Sequence, residues 1–244
     1  MPDSDRRQII ALGGGGFSGD PFDAAGARLD DVVLAATGKP RPRVCFVGTA
    51  SGDAEDYTAN FYRAFSGRTE PHDLNLFRRA RHPHLREFVL GMDAIYVGGG
   101  STLNMLAVWR AHGLDEILVE AWHAGVVLAG ISAGMVCWFE SPVTDARHDG
   151  TLLPITGLGL LPGSACAHFG DPMRRAAYPA LIREGLAPGI AAYDGVALVF
   201  RGTSLVEAVS SPSGGRAFHV AGDGLDELAV RSLAGPPDQP RPAD

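Results

Sequence analysis

Val126-Val127-Leu128-Ala129-Gly130-Ile131-Ser132-Ala133-Gly134-Met135 decides how this chain folds. The first four residues are apolar and open on two β-branched valines, the pattern of a buried strand. They run straight into Gly130-Ile131-Ser132-Ala133-Gly134, a G-x-S-x-G elbow, and residues 135–138 can open a helix behind it. Small neighbours let the backbone turn sharply and hold the serine Oγ at the carboxyl end of the strand. There the Ala133 amide and the helix N-terminus can stabilise an oxyanion. With 32 glycines in the chain, the motif alone could be an accident; its strand–turn–helix setting carries the argument.

The alternation extends upstream. Residues 8–12 read as a buried strand closed by the glycine run 13–16, and Ala25, Leu29, Val32, Val33 and Ala36 fall at helical spacing over 23–37. Residues 44–47 form a second strand, and Tyr57, Phe61 and Phe65 share one face of the next helix. A third strand is expected at 73–76, followed by a helix carrying Leu85, Phe88 and Val89. Residues 94–97 are strand-like and end in Gly98-Gly99-Gly100. Leu103, Leu106 and Ala107 mark the helix after them, and 114–124 forms another. Such alternation calls for a parallel sheet covered on both faces by right-handed crossovers.

After Ser141 the texture changes. Short apolar runs at 158–161, 164–168, 190–193, 197–200, 205–209 and 217–220 are separated by Gly, Pro, Asp and Ser. Only 174–184 looks helical, with Pro179 inside it. The fold class is therefore α/β, a mostly parallel sheet with helices on both faces and added C-terminal hairpins. One domain is expected over 1–233, and 234–244, with four prolines in 11 residues, is expected to be a disordered tail.

Composition narrows the function. A net charge of −7 lacks the basic face that nucleic acid requires. The best apolar stretch, 126–139, is interrupted by Ser132 and two glycines, so no membrane span is expected. Ile9-Ile10-Ala11-Leu12 is too short for the apolar region of a signal peptide. Cys45, Cys137 and Cys166 show no C-x-x-C spacing, which argues against a disulfide framework and against zinc. A cytoplasmic protein needing no metal or organic cofactor fits all of this.

Two motifs are set aside. Gly14-x-Gly16-x-x-Gly19 formally matches the dinucleotide fingerprint, yet the second strand ends Val47-Gly48-Thr49 without a ribose-binding acid. A tight turn where backbone packs closely is the preferred reading. His82-x-His84 has no nearby carboxylate or Cys to complete a ligand set and reads as a solvated loop.

A serine nucleophile needs an oxyanion hole, a base and an orienting acid. Gly98-Gly99-Gly100-Ser101 can supply a second oxyanion donor, with Ser101 also suited to cap the following helix. Downstream bases are His148, His168 and His219; His168 stands at the end of an expected strand, in Cys166-Ala167-His168-Phe169. Asp194-Gly195 lies between two apolar runs, which is also a two-residue hairpin signal, and Asp145 is the rival acid. An α/β-hydrolase order would use Ser132, Asp194 and His219, with a glycine loop well before the elbow. Here that loop sits just upstream of it, so Ser132, His168, Asp194 is the better fit.

In combination these segments resemble the peptidase E (aspartyl dipeptidase) family of serine peptidases, to which cyanophycinase is related. The resemblance rests on residues 9–18, 44–53, Ile95-Tyr96-Val97-Gly98-Gly99-Gly100-Ser101-Thr102, the elbow, His168-Phe169 and Asp194-Gly195. It implies a class I glutamine-amidotransferase-like fold with Ser132 as nucleophile, His168 as general base and Asp194 as orienting acid. It further implies oxyanion amides from Gly100 and Ala133. Three departures stand out: Ser101 replaces an Asn, Asp194 replaces a Glu, and Asp171-Pro172-Met173-Arg174-Arg175 replaces a Thr-Arg-Glu run. The last puts strict aspartyl specificity in question, leaving Arg175 (favoured) and Arg174 as the cations for a substrate carboxylate.

The expected activity is a serine exopeptidase, a dipeptidase acting on short peptides, with N-terminal Asp as the specificity the family suggests. The expected partner is a small peptide, with a homodimer left open. Rival readings are an esterase or amidase using the same nucleophile, and a non-catalytic ligand-binding relative.

Overall fold

A computed structural model of the chain describes residues 6–18, 24–77, 84–146, 150–212, 214–222 and 224–233. The expected tail 234–244, His82 and His148 lie outside them.

The first half alternates as its periodicity predicts: β1 (Gln8–Leu12), α1 (Ala24–Ala36), β2 (Arg43–Val47), α2 (Glu55–Phe65), β3 (Glu70–Leu74), α3 (Leu85–Leu90), β4 (Ala94–Val97), α4 (Thr102–His112), α5 (Leu114–His123) and β5 (Val127–Ile131). The third strand lies earlier than the expected 73–76, because as an edge strand it is only partly buried and carries polar residues that hide it from the apolar pattern. These five strands are parallel, in the order β1-β5-β4-β2-β3. Both faces are buried, so the central strands are continuously apolar. Ile10, Leu12, Phe46 and Tyr96 pack on one face with Leu29, Val33, Phe61 and Phe65 of α1 and α2. Ile9, Ala11, Val47 and Val97 pack on the other with Trp109, Leu114 and Leu118 of α4 and α5. The inward face of α4 differs from the expected one. Leu106 is buried beside Met105 and Trp109, whereas Leu103 and Ala107 face solvent.

The second half contains α6 (Ala133–Val136), β6 (Phe139–Thr144), β7 (Leu153–Pro154), β8 (Leu161–Cys166), α7 (Pro172–Arg183), β9 (Gly189–Ala192), β10 (Val196–Arg201), β11 (Ser204–Ser210), β12 (Ala217–Ala221), β13 (Gly224–Glu227) and β14 (Val230–Ser232). The β10–β11 hairpin extends the parallel sheet, β10 pairing antiparallel with β1 and β14 closing that edge. The remaining strands form a second sheet in the order β13-β12-β9-β8-β6-β7. Phe169, Tyr178, Ala191 and Phe218 make its own core against α7. Asp171 starts α7 as its N-cap, accepting from the amides of Met173 at 2.8 Å and Arg174 at 3.1 Å, with Pro172 in the first turn.

Asp194-Gly195 is not a hairpin turn. β9 and β10 belong to different sheets, so this dipeptide hands the chain from one sheet to the other. Gly195 makes the change of direction at φ 75°, where a Cβ is strained.

Candidate active site

Ser132 follows β5 with φ 57° and ψ −108°, a conformation that costs a non-glycine residue about 1–3 kcal/mol. The elbow glycines are there for space. A Cβ on Gly130 would lie 2.3 Å from the Gly134 carbonyl oxygen, and one on Gly134 would lie 2.4 Å from that of Val97. The helix behind the elbow is the single turn of α6.

The glycine loop after β4 runs beside it. Gly100 has φ 136°, and a Cβ there would lie 2.2 Å from the Ala50 carbonyl oxygen. That carbonyl accepts from the Ser101 amide at 2.9 Å, and Ser101 Oγ caps α4 by accepting from Asn104 N at 3.2 Å. The Gly99 amide turns away to donate to Tyr57 Oη at 3.2 Å.

His168 lies two residues beyond β8 with φ 52°, outside any strand. Its Nε2 is 2.7 Å from Ser132 Oγ, and its Nδ1 is 2.5 Å from Asp194 Oδ1. The structure thus brings Ser132, His168 and Asp194 into one hydrogen-bonded line. The side chains of His168 and Asp194 are 36% and 69% exposed, so solvent screens their interaction. Asp145 is elsewhere: it accepts from Arg174 Nη2 at 2.6 Å. His219 is an exposed residue of β12, opposite Ile190 in the second sheet.

Two cavities meet at Ser132. One, of about 450 Å³, is lined by Ser18, Ser51, Asp56, Tyr57, Asn60, Gly99, Gly100 and His168 among others. The other is small and bounded by Gly100, Thr102, Ala133, Thr144, Asp145 and Arg174. Arg175, favoured from sequence, lines neither of them; it bonds to Tyr193 Oη and stacks over that ring. Among the described residues no group of three or more His, Cys, Asp or Glu could hold a metal ion.

In the packing between α1 and the sheet, burial raises the carboxyl of Asp30 to about 7, against the hydrogen bond it accepts from Tyr96 Oη at 2.8 Å. Burial also pushes the Tyr57 hydroxyl upward and the Cys166 thiol up to about 12.

The family model of peptidase family S51 matches residues 9–208. The chain belongs to peptidase family S51. It is a peptidase, and therefore a hydrolase. Similar proteins include the uncharacterized peptidase YgaJ of Bacillus subtilis (strain 168), 48% identical over 217 residues that cover 88% of this chain and 92% of YgaJ. Peptidase E of Streptomyces coelicolor is 31% identical over 140 residues, 53% of this chain and 52% of that protein. The crystal structure of a peptidase from an acI-B1 Actinobacterium shares the fold at a TM-score of 0.68 and 19% identity, covering 91% of this chain and 94% of that one.

Sequence reasoning missed what this S51 peptidase does with Tyr57 and Asp30. Tyr57 reads as one more apolar position on its helix, and only the fold turns its hydroxyl to the glycine loop. Asp30 sits among helical apolar residues, and nothing in its neighbourhood marks it as buried.

Proposed function

We propose that this S51 peptidase is a serine exopeptidase that cleaves short peptides through an acyl-enzyme on Ser132. The observation that carries the reading is the line from Ser132 Oγ through His168 to Asp194, on the wall of a cleft of about 450 Å³. Ser132 Oγ attacks the scissile carbonyl carbon while His168 Nε2 takes its proton. Collapse of the tetrahedral intermediate breaks the C–N bond, and the imidazolium returns that proton to the leaving amine. Water then attacks the acyl-enzyme with the same base, releasing the acid and restoring Ser132. Asp194 accepts from Nδ1, which keeps Nε2 as the acceptor facing Ser132 and stabilises the imidazolium.

The oxyanion donors in this reading are the amides of Gly100 and Ala133. Its support is the loop geometry: Gly99 spends its amide on Tyr57, and Gly100 borders both cavities at Ser132. Discrete, modest cavities suit short peptides better than a long chain. The three buried cysteines are free thiols, which suits a reducing cytoplasm.

A preference for N-terminal aspartate is the finer part of the proposal. Its support is Arg174, 12% exposed, which borders the small cavity beside Ser132 and already holds a carboxylate, that of Asp145. A substrate carboxylate would exchange for Asp145 on the same guanidinium, where two parallel hydrogen bonds can form. The test is a panel of Xaa-Leu dipeptides with amino-acid analysis of the products. Release of free leucine, greatest from Asp-Leu, is expected. If activated esters are hydrolysed and no dipeptide is, the exopeptidase reading fails in favour of an esterase.

A further inference from the structure

We propose that Gly14, in the glycine run that only formally resembles a dinucleotide fingerprint, is a positioning residue for the Asp194–His168 pair. This inference rests on the reading of Ser132, His168 and Asp194 as the catalytic residues.

Three consecutive carbonyls at the end of β1 receive the backbone of all three site segments. Leu12 O accepts from Ser132 N at 3.0 Å, Gly13 O from His168 N at 3.2 Å, and Gly14 O from Gly195 N at 2.9 Å. The elbow, the segment after β8 and the crossing between the two sheets are thereby registered on one short piece of chain. Ser132 and His168 also hold positive φ, a strained conformation for a non-glycine residue that the surrounding contacts must over-determine, whereas Gly195 takes its positive φ freely.

Gly14 differs from the glycines that follow it. Gly15 and Gly16 have φ 97° and 60°, where glycine is required by conformation. Gly14 is not in that region, and its backbone would accept alanine. What excludes a side chain is its neighbour: a Cβ would lie 2.0 Å from Asp194 Oδ1, the oxygen bonded to His168 Nδ1, and 3.0 Å from His168 Cε1. Asp194 is exposed on its other sides and has room to swing into solvent. The missing side chain of Gly14 is thus the seat of the carboxylate, and filling it pushes the carboxylate off the imidazole.

The test uses the full chain and a fluorophosphonate probe, whose labelling rate at Ser132 reads nucleophilicity without a known substrate. Asp194→Ala should slow labelling by up to roughly 10⁴. Gly14→Ala should slow it to a similar extent with melting temperature and circular dichroism retained. The double variant should be no slower than Asp194→Ala alone within about threefold, because the displaced group is already gone. A downfield proton NMR signal from the His168 Nδ1–H bond, present in Ser132→Ala, should vanish in Gly14→Ala. Losses that multiply in the double variant, or a Gly14→Ala protein labelled at the parental rate, would overturn the role of Gly14 and leave the three catalytic residues standing. An Asp194→Ala protein labelled at the parental rate would instead remove the catalytic reading, and this inference with it. Should Gly14→Ala fail to fold, the double variant decides. Recovery of a folded protein without the Asp194 carboxylate supports the proposal, and continued failure overturns it.

Discussion

The half of the molecule that carries Ser132 and the half that carries His168 and Asp194 reach the same site by different means. Ser132 stands where a parallel strand meets a tight turn; Gly130 and Gly134, within a few positions, leave the space for that turn, and its own amide adds one tie to Leu12 O of β1. His168 and Asp194 stand in loops of the second half, and both are steered by carbonyls from the far end of the chain, at Gly13 and Gly14. Local sequence shapes the turn at Ser132, and tertiary contacts bring His168 and Asp194 to it. The second half should therefore be the more sensitive to distant substitutions.

The largest effect should fall on the local half. Ser132→Ala should leave the fold intact and lower kcat by about 10⁴–10⁶, and His168→Ala should be nearly as damaging. Steady-state rates on a cleaved dipeptide, with melting curves for folding, check both. Asp194→Asn should cost about 10⁴ in kcat, the low end of that range, because on the proposed reading the residue orients rather than reacts. Asp145→Asn should be milder still, and the reverse order would mean that the acid is wrongly assigned.

How much of this was legible follows the same division. The strand endings at Leu12 and Val97 are readable because continuous apolar runs stop at glycine; the run 126–129 stops at Gly130, yet β5 continues through that glycine to Ile131, within the elbow. The second sheet was not readable, because its strands are short and their pairing partners are set by long-range packing. Asp194-Gly195 shows the limit well: a hairpin signal by composition, it became a crossing between sheets because β10 is claimed by β1. Sequence position favours Arg175 over Arg174, but tertiary packing puts Arg174 on the border of the small cavity at Ser132 and Arg175 over Tyr193.

The parallel half also holds a buried titratable group. Asp30 is raised from its ordinary value of 3.8 to about 7, so the folded chain keeps a proton there that the unfolded chain releases. Its contribution to stability is full below about pH 4 and is lost as pH rises to about 7, by up to about 4 kcal/mol. Asp30→Asn should flatten that slope and melt higher than the parent at pH 8, but not at pH 4. Parallel pH–stability curves for the two proteins would contradict this.

The smallest expected effect concerns selectivity. Arg174→Met should lower kcat/KM for Asp-Leu by roughly thirtyfold, about 2 kcal/mol, while Ala-Leu changes little. Arg175→Met should leave the ratio unaltered, since that side chain packs on Tyr193. An unchanged Asp-to-Ala ratio in Arg174→Met would remove the aspartyl preference and leave Ser132 chemistry untouched.

Labelling of the intact protein with a fluorophosphonate, followed by mass mapping of the modified peptide, shows which side chain is the nucleophile. One adduct is expected, on Ser132, abolished by Ser132→Ala and strongly slowed by His168→Ala. Peptide hydrolysis that persists with Ser132 unlabelled, or with the adduct on a different residue, would contradict it.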